Sequence, residues 1–197
     1  MTRSSLEITL GPPGPLDWRE VFGRSAPVEM ELGFGKARFL IRESLARPEV
    51  DFFGVELSRK WYREGKRRME KAGPPPNLRV LHAEAVDFLT RFVGDDSLRV
   101  LHVYYPDPWP KKRHRKRRFV GEPLLIQAER VLEPGGELRI VTDHAEYADC
   151  IAADLSRRPA LRELPWEQGE EALTHFEAKY RIQGRLSHRF RRVWEGP

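Results

Sequence analysis

Cysteine is almost missing from these 197 residues, and Cys150 stands alone. One thiol excludes an intramolecular disulfide and any cysteine-based zinc cluster, and no metal is expected. The neighbours of Cys150 have helical character, so it is read as a small buried residue. Also missing is an apolar run approaching the ~20 residues of a membrane span. The N-terminal stretch MTRSSLEITLGPPGPLDW lacks the apolar centre of a signal peptide, so a cytoplasmic protein with no membrane partner is expected. Repeats and low-complexity segments are absent too. The length suits one domain with a full hydrophobic core.

Net positive charge is concentrated in short stretches of the chain. The whole chain carries a net +5, yet Lys111 to Arg118 (KKRHRKRR) alone holds seven Lys or Arg, leaving −2 for the rest. A second stretch contributes Lys179, Arg181, Arg185, Arg189, Arg191 and Arg192 with no acid, which leaves −8 outside both. A charge run is ordinarily a solvated surface. Two of them on an otherwise acidic body favour a nucleic-acid partner, because each neutralised phosphate releases condensed counterions. Arginine outnumbers lysine, which suits phosphate and base recognition.

Strand and helix signals alternate, predicting an α/β fold: a mostly parallel sheet with helices on both faces. Strands are expected at Val28–Leu32, Asp51–Glu56, Leu78–His82, Leu98–Tyr105, Glu137–Thr142 and Ser187–Trp194. Helices are expected near Lys36–Ala46, from an N-cap at Ser58 through Ala72, and over Ala85–Phe92, Pro123–Val131 and Ala145–Arg157. Glu133-Pro134-Gly135-Gly136 reads as the end of the fourth of these helices. Leu161–Gly184 reads as loop with one short element of undetermined type. Residues 1–26 read as an extension laid on the core, 27–158 as the ligand-binding core and 159–197 as a C-terminal segment.

The first strand runs into Glu31-Leu32-Gly33-Phe34-Gly35-Lys36-Ala37-Arg38. Gly33 and Gly35 permit a tight turn and close approach of a ligand to a helix N-terminus; the plain alternative is a turn and nothing more. A dinucleotide fingerprint needs a third glycine where Arg38 stands, and Glu31 would repel a diphosphate. Glu31 instead suits a positive group, such as the amine of a methionine moiety. Glu56 ends the second strand and could accept both hydroxyls of a ribose. Glu84 follows the third strand and Asp107 the fourth. Any one of these acids could be a cap or a solvated strand end. Together they form the pattern of an S-adenosylmethionine pocket, with acids for the amine, the ribose and the adenine amino group.

The segments ELGFGKA, FFGVELS, LHAEAVDFL, YYPDPWPKKRHRKRRF, VLEPGGELRIVTDHAEYA and THFEAKY, in this order and spacing, resemble the bacterial tRNA (guanine-N7-)-methyltransferase family. The match spans roughly Val28 to Tyr180. The Pro-Asp-Pro-Trp segment with its basic tail is its most specific part. The resemblance implies a Rossmann-like class I methyltransferase fold with a seven-stranded sheet. It implies methyl transfer from S-adenosylmethionine to N7 of a guanosine in the tRNA variable loop, position 46 of the tRNA. It assigns Glu31, Gly33, Gly35, Glu56, Glu84 and Asp107 to the cofactor, with Asp107 the catalytic candidate. Lys111, Asp143, Thr174, His175, Phe176 and Glu177 go to the target guanosine. Lys112, Arg113, Arg115, Lys116, Arg117 and Arg118 are read as grip on the RNA backbone. Two positions depart from the family's habit: Ala37 replaces a further glycine, and Glu84 stands where Asp or Asn is usual.

Guanine N7 has a lone pair and no proton, so it attacks a sulfonium methyl directly and the enzyme's task is alignment and electrostatics. Asp107 and Asp143 are accordingly read as orienting groups and as partners for the cationic product base; Asp143 could also cap the helix that follows. Trp109 could stack on an extruded base or anchor packing. His114 reads as a phosphate contact or a solvated residue. Two rival readings are an amino methyltransferase on another substrate and a non-catalytic RNA-binding subunit. A monomer and a homodimer are both open.

Overall fold

A computed structural model of the protein describes residues 6–73, 75–166 and 186–196. Seven strands, β1 (Val28–Leu32), β2 (Asp51–Glu56), β3 (Leu78–His82), β4 (Leu98–Tyr104), β5 (Leu132–Thr142), β6 (Leu161–Leu164) and β7 (His188–Trp194), form one sheet. Their order is β3-β2-β1-β4-β5-β7-β6. β1 to β5 pair in parallel, and β7 runs antiparallel between β5 and β6. The strand order reverses between β1 and β4, and ligands of doubly wound sheets bind at the carboxyl ends beside such a switch.

Among the described residues six α-helices accompany the strands: α1 (Trp18–Phe22), α2 (Arg38–Ala46), α3 (Arg59–Ala72), α4 (Ala85–Phe92), α5 (Glu122–Val131) and α6 (Ala145–Ser156). Residues of α2 and α3 pack with Phe34, Phe52 and Val80 into one apolar cluster. Those of α4, α5 and α6 pack with Met30, Phe53 and Leu101 into the other. The neighbours Phe52 and Phe53 go to opposite clusters because successive strand side chains point to opposite faces. Among the described residues no helix is long and apolar enough to cross a membrane.

The strands β1 to β3 carry the bounds expected from sequence, and Ser58 caps α3 as expected, its side chain accepting from the Trp61 N–H. Described residues of the N-terminal stretch contact the sheet and α4. Leu6 is buried, Glu7 bridges Val80, and the Gly14 and Leu16 amides donate to the carbonyls of Arg91 and Phe92 at the end of α4.

Two expectations need correction, and one element left open in the sequence is now typed. β5 begins at Leu132, directly after α5, and not at Glu137. Leu98 pairs with Leu132 and Val100 with Glu137, so two steps on β4 face five on β5. The Glu133–Gly136 segment is therefore a bulge inside the strand, which tertiary pairing imposes on a sequence that locally reads as a terminator. The short element after Leu161 is strand β6; residues 167–185 lie outside the described ones. Cys150 is half-buried and not enclosed: its Sγ accepts from the Arg118 Nη1 at 3.2 Å.

Candidate active site

β1 (VEMEL) is wholly buried although two of its five residues are acids. Glu29 and Glu31, two apart, share one face of the sheet. Their surroundings differ sharply. Glu29 takes two hydrogen bonds from Arg47 (2.7 and 2.8 Å) and one from His102 Nε2 (3.0 Å). Burial pushes its carboxyl up, but these partners prevail and hold it at about 2. Burial keeps His102 below its ordinary value. A neutral His102 that donates from Nε2 must accept at Nδ1, so the Tyr104 hydroxyl, 2.7 Å away, is the donor there.

Glu31 has no such company. Its Oε2 is buried without a hydrogen-bond partner among the described residues. Burial first, then the charges of Glu56 and Glu43, push its carboxyl up to about 8. A buried carboxylate in this condition is costly unless a cation meets it. The residue therefore fits a ligand's ammonium group on an observation independent of any motif.

The turn after β1 is shaped for close approach. Gly33 and Gly35 have φ of 79° and 50°, and a Cβ at either would meet nothing within 4 Å. Ala37 adopts φ 58° as the residue before α2, so it holds the left-handed conformation for which glycine is usual. Phe34 between them is buried against Tyr62. Two glycines elsewhere make room for it. A Cβ at Gly54 would come within 2.8 Å of the Phe34 ring, and one at Gly65 within 2.7 Å of both that ring and the Gly35 carbonyl oxygen.

Glu56, at the end of β2, is tied into the same turn. Its Oε2 accepts from the Gly35 N–H (2.9 Å) and its Oε1 from the Ser58 N–H (2.7 Å). Its carboxyl is raised, by burial above all, and Asp107 is near enough to raise it further. Glu84 is exposed and caps α4, accepting from the Val86 and Asp87 amides at 3.2 and 2.7 Å. The carboxylate thus already has a structural task, and only its remaining lone pairs face outward. Leu57, beside Glu56, is an apolar side chain left 63% exposed at this edge, which sequence reading missed.

Asp107 is exposed, in a loop whose backbone is under strain. Tyr105 and Trp109, two residues to either side, have φ of 51° and 41°, a region that costs a bulky residue energy. The loop is pinned by the Tyr105 N–H to the Val141 carbonyl (2.7 Å) and by its hydroxyl to Ser187 (2.9 Å). The basic block then forms a 3-10 turn, Lys112–Arg117, that folds back on the loop. The Arg117 guanidinium lies over the Trp109 ring at 5.1 Å, and His114 packs edge-on at 5.7 Å. Trp109 is thus the platform on which the basic turn is laid.

The block divides by environment. Lys111, Lys112, Arg113, Arg115, Lys116 and Arg117 are exposed. Arg118 departs from the expectation of backbone grip, because its side chain is only 7% exposed. It donates to the Pro108 carbonyl and to both oxygens of Glu146, and lies over Tyr147. Arg115 also approaches Glu146, at 3.1 Å. The second basic stretch is likewise partly absorbed into the sheet: Arg191 clasps Glu137 with two bonds, and Arg192 pairs with Glu163. Asp143 is half-buried at the end of β5, and the cap of α6 comes from His144 instead, whose Nδ1 accepts from the Tyr147 N–H. Thr174, His175, Phe176 and Glu177 lie outside the described residues.

The strand order, the glycine turn and the acids at one sheet edge define a Rossmann-like methyltransferase. A family model described as "Putative methyltransferase" matches residues 25–190. In fold the chain resembles a SAM dependent methyltransferase from Aquifex aeolicus (TM-score 0.59, 14% identity, covering 89% of this chain and 86% of that one). It is 36% identical over 173 residues to the tRNA (guanine-N(7)-)-methyltransferase of Nitrosococcus oceani, covering 87% of this chain and 73% of that protein. The enzyme of the same name from Bordetella pertussis is 36% identical over 200 residues, 98% of this chain and 77% of that protein. The chain belongs to the bacterial tRNA (guanine-N(7)-)-methyltransferase family.

Proposed function

We propose that the protein is a cytoplasmic enzyme that methylates N7 of a guanosine in the variable loop of tRNA, with S-adenosylmethionine as donor. The observation that carries the donor's identity is the buried, unpartnered Glu31 oxygen, which asks for an ammonium group beside an open glycine turn. The donor supplies a methyl group made electrophilic by a sulfonium. Glu31 accepts from its amine and Glu56 from its ribose hydroxyls, while Leu57 lends an apolar face to adenine and Glu84 a spare lone pair to the adenine amine. Residues 27–158 carry this pocket, and residues 159–197 add to the tRNA site.

At the base, N7 needs no proton removed, so the chain's contribution is alignment and charge. Asp107, on its strained loop, orients the reacting groups and stabilises the cationic product, together with Asp143. Lys111 holds the target nucleotide together with Thr174, His175, Phe176 and Glu177. Lys112, Arg113, Arg115, Lys116 and Arg117 grip phosphates, whereas Arg118 fixes the loop. The test is to incubate unmodified tRNA transcripts with the protein and labelled S-adenosylmethionine, then to map the product. Labelled 7-methylguanosine in the variable loop supports the reading; label on an exocyclic amine, or none, overturns it.

A further inference from the structure

Helix α3, RKWYREGKRRMEKA, carries seven Lys or Arg against Glu64 and Glu70, a net +5 on 14 residues. Only Tyr62, Gly65 and Met69 are buried, so the cations stand outside. Lys66 is matched by Glu7, and Arg67 and Arg68 by Glu64. Arg59, Lys60, Arg63 and Lys71 have no acidic partner at ion-pair distance among the described residues, and all four are exposed.

On this face lies a groove of about 420 Å³ lined by Lys36, Lys60, Trp61, Arg63, Arg67 and Arg68, with Glu64 its one acid. Trp61 is 37% exposed, unusual for so large an apolar side chain, and the ammonium groups of Lys36 and Lys60 sit 5.6 and 5.1 Å from its ring. Cations around an exposed aromatic ring complement a nucleic-acid strand: phosphates meet the charges, and a sugar or base meets the ring. The groove also borders the glycine turn. Lys36 belongs to the glycine turn, and α3 is seated on that turn where Gly65 meets the Gly35 carbonyl.

We infer that the α3 groove is a second tRNA-binding surface, which takes the phosphodiester backbone away from the target nucleotide. It is separate from the basic turn after β4. The inference rests on the tRNA methyltransferase reading for its partner.

The test is filter binding of tRNA across a salt series, with wild-type protein, the Lys60→Gln/Arg63→Gln double variant and Trp61→Ala. For the double variant, affinity is expected to fall on the order of 10-fold and the slope of log K against log salt to shrink by about 2, one for each phosphate contact. Trp61→Ala is expected to weaken binding with the slope unchanged. The dissociation constant for S-adenosylmethionine and the melting temperature should not move, and Lys60→Glu alone gives a second check through a single exposed position. Unchanged affinity and slope in the double variant would overturn the inference. The product made by the wild-type protein tests the enzymatic reading separately: a wild type that binds tRNA through this groove without methylating it would defeat that reading alone.

Discussion

Glu56 accepts a hydrogen bond from the Gly35 amide at 2.9 Å, so the acid that ends β2 also sets the shape of the turn after β1. Its other oxygen holds the Ser58 amide at the start of α3. One carboxylate therefore joins two loops at the sheet edge while keeping lone pairs for a ligand.

Replacing Glu56 by Ala should accordingly disturb more than one contact. Hydrogen bonds to a charged group contribute about 1.5–3 kcal/mol, so KM for S-adenosylmethionine should rise roughly 10- to 100-fold. Glu56→Gln keeps one carbonyl acceptor and should recover part of the loss. Steady-state kinetics at saturating tRNA decide the matter, and an unaltered KM in the alanine variant would remove Glu56 from the pocket.

Glu31 predicts a pH dependence. Its carboxyl, at about 8 in the free protein, is mostly protonated at neutral pH and must ionise to meet an ammonium. Between roughly pH 5.5 and 7 the cofactor amine stays charged, so affinity should rise about tenfold per pH unit with close to one proton released. Calorimetry in buffers of different ionisation enthalpy measures that proton, and Glu31→Gln should abolish its release. The stability sign is the opposite. The folded state holds a proton that the unfolded state loses near pH 4.5, so Glu31 lowers stability progressively as pH rises from there to about 8. Without cofactor, Glu31→Gln should melt a few degrees higher than wild type at pH 8 and bind the cofactor more weakly.

Asp107 is exposed and makes no side-chain hydrogen bond or ion pair among the described residues, so Asp107→Ala should fold normally. Methyl transfer should fall at least ~100-fold, the range expected when an orienting and charge-stabilising group is lost. Binding of tRNA, measured by filter retention, should stay within about twofold. A fully active variant would end its role.

Within the basic block, environment separates two outcomes. Arg118→Ala breaks the clasp on Glu146 and Pro108; it should lower the melting temperature and leave the salt dependence of tRNA binding unchanged. Lys112→Ala/Arg113→Ala should do the reverse, flattening the salt slope by about 2 at constant melting temperature. Identical behaviour of the two variants would contradict this division.

Much of the frame was legible because strands such as Asp51–Glu56 and Leu98–Tyr104 are short, mainly apolar runs bounded by turn residues. Glu31 could be singled out because a carboxylate beside a glycine turn admits few ligands. What escaped depends on distant partners. Nothing local shows that Glu29 is fully partnered; Arg47, just after α2, and His102 on β4 do that. Arg118 looks like its neighbours in the run and is set apart only by Glu146 on α6. The charge of α3 was hidden because Glu64 and Glu70 interrupt it, and only helical phase shows how little of that helix is buried. The β5 bulge obeyed strand pairing over local turn chemistry.

Transfer to N7 is tested most directly with a tRNA transcript carrying 7-deazaguanosine, in which a C–H replaces the attacking nitrogen. The transcript should bind and compete with normal tRNA yet accept no methyl group. Methylation of the deaza transcript at the normal rate would contradict the account.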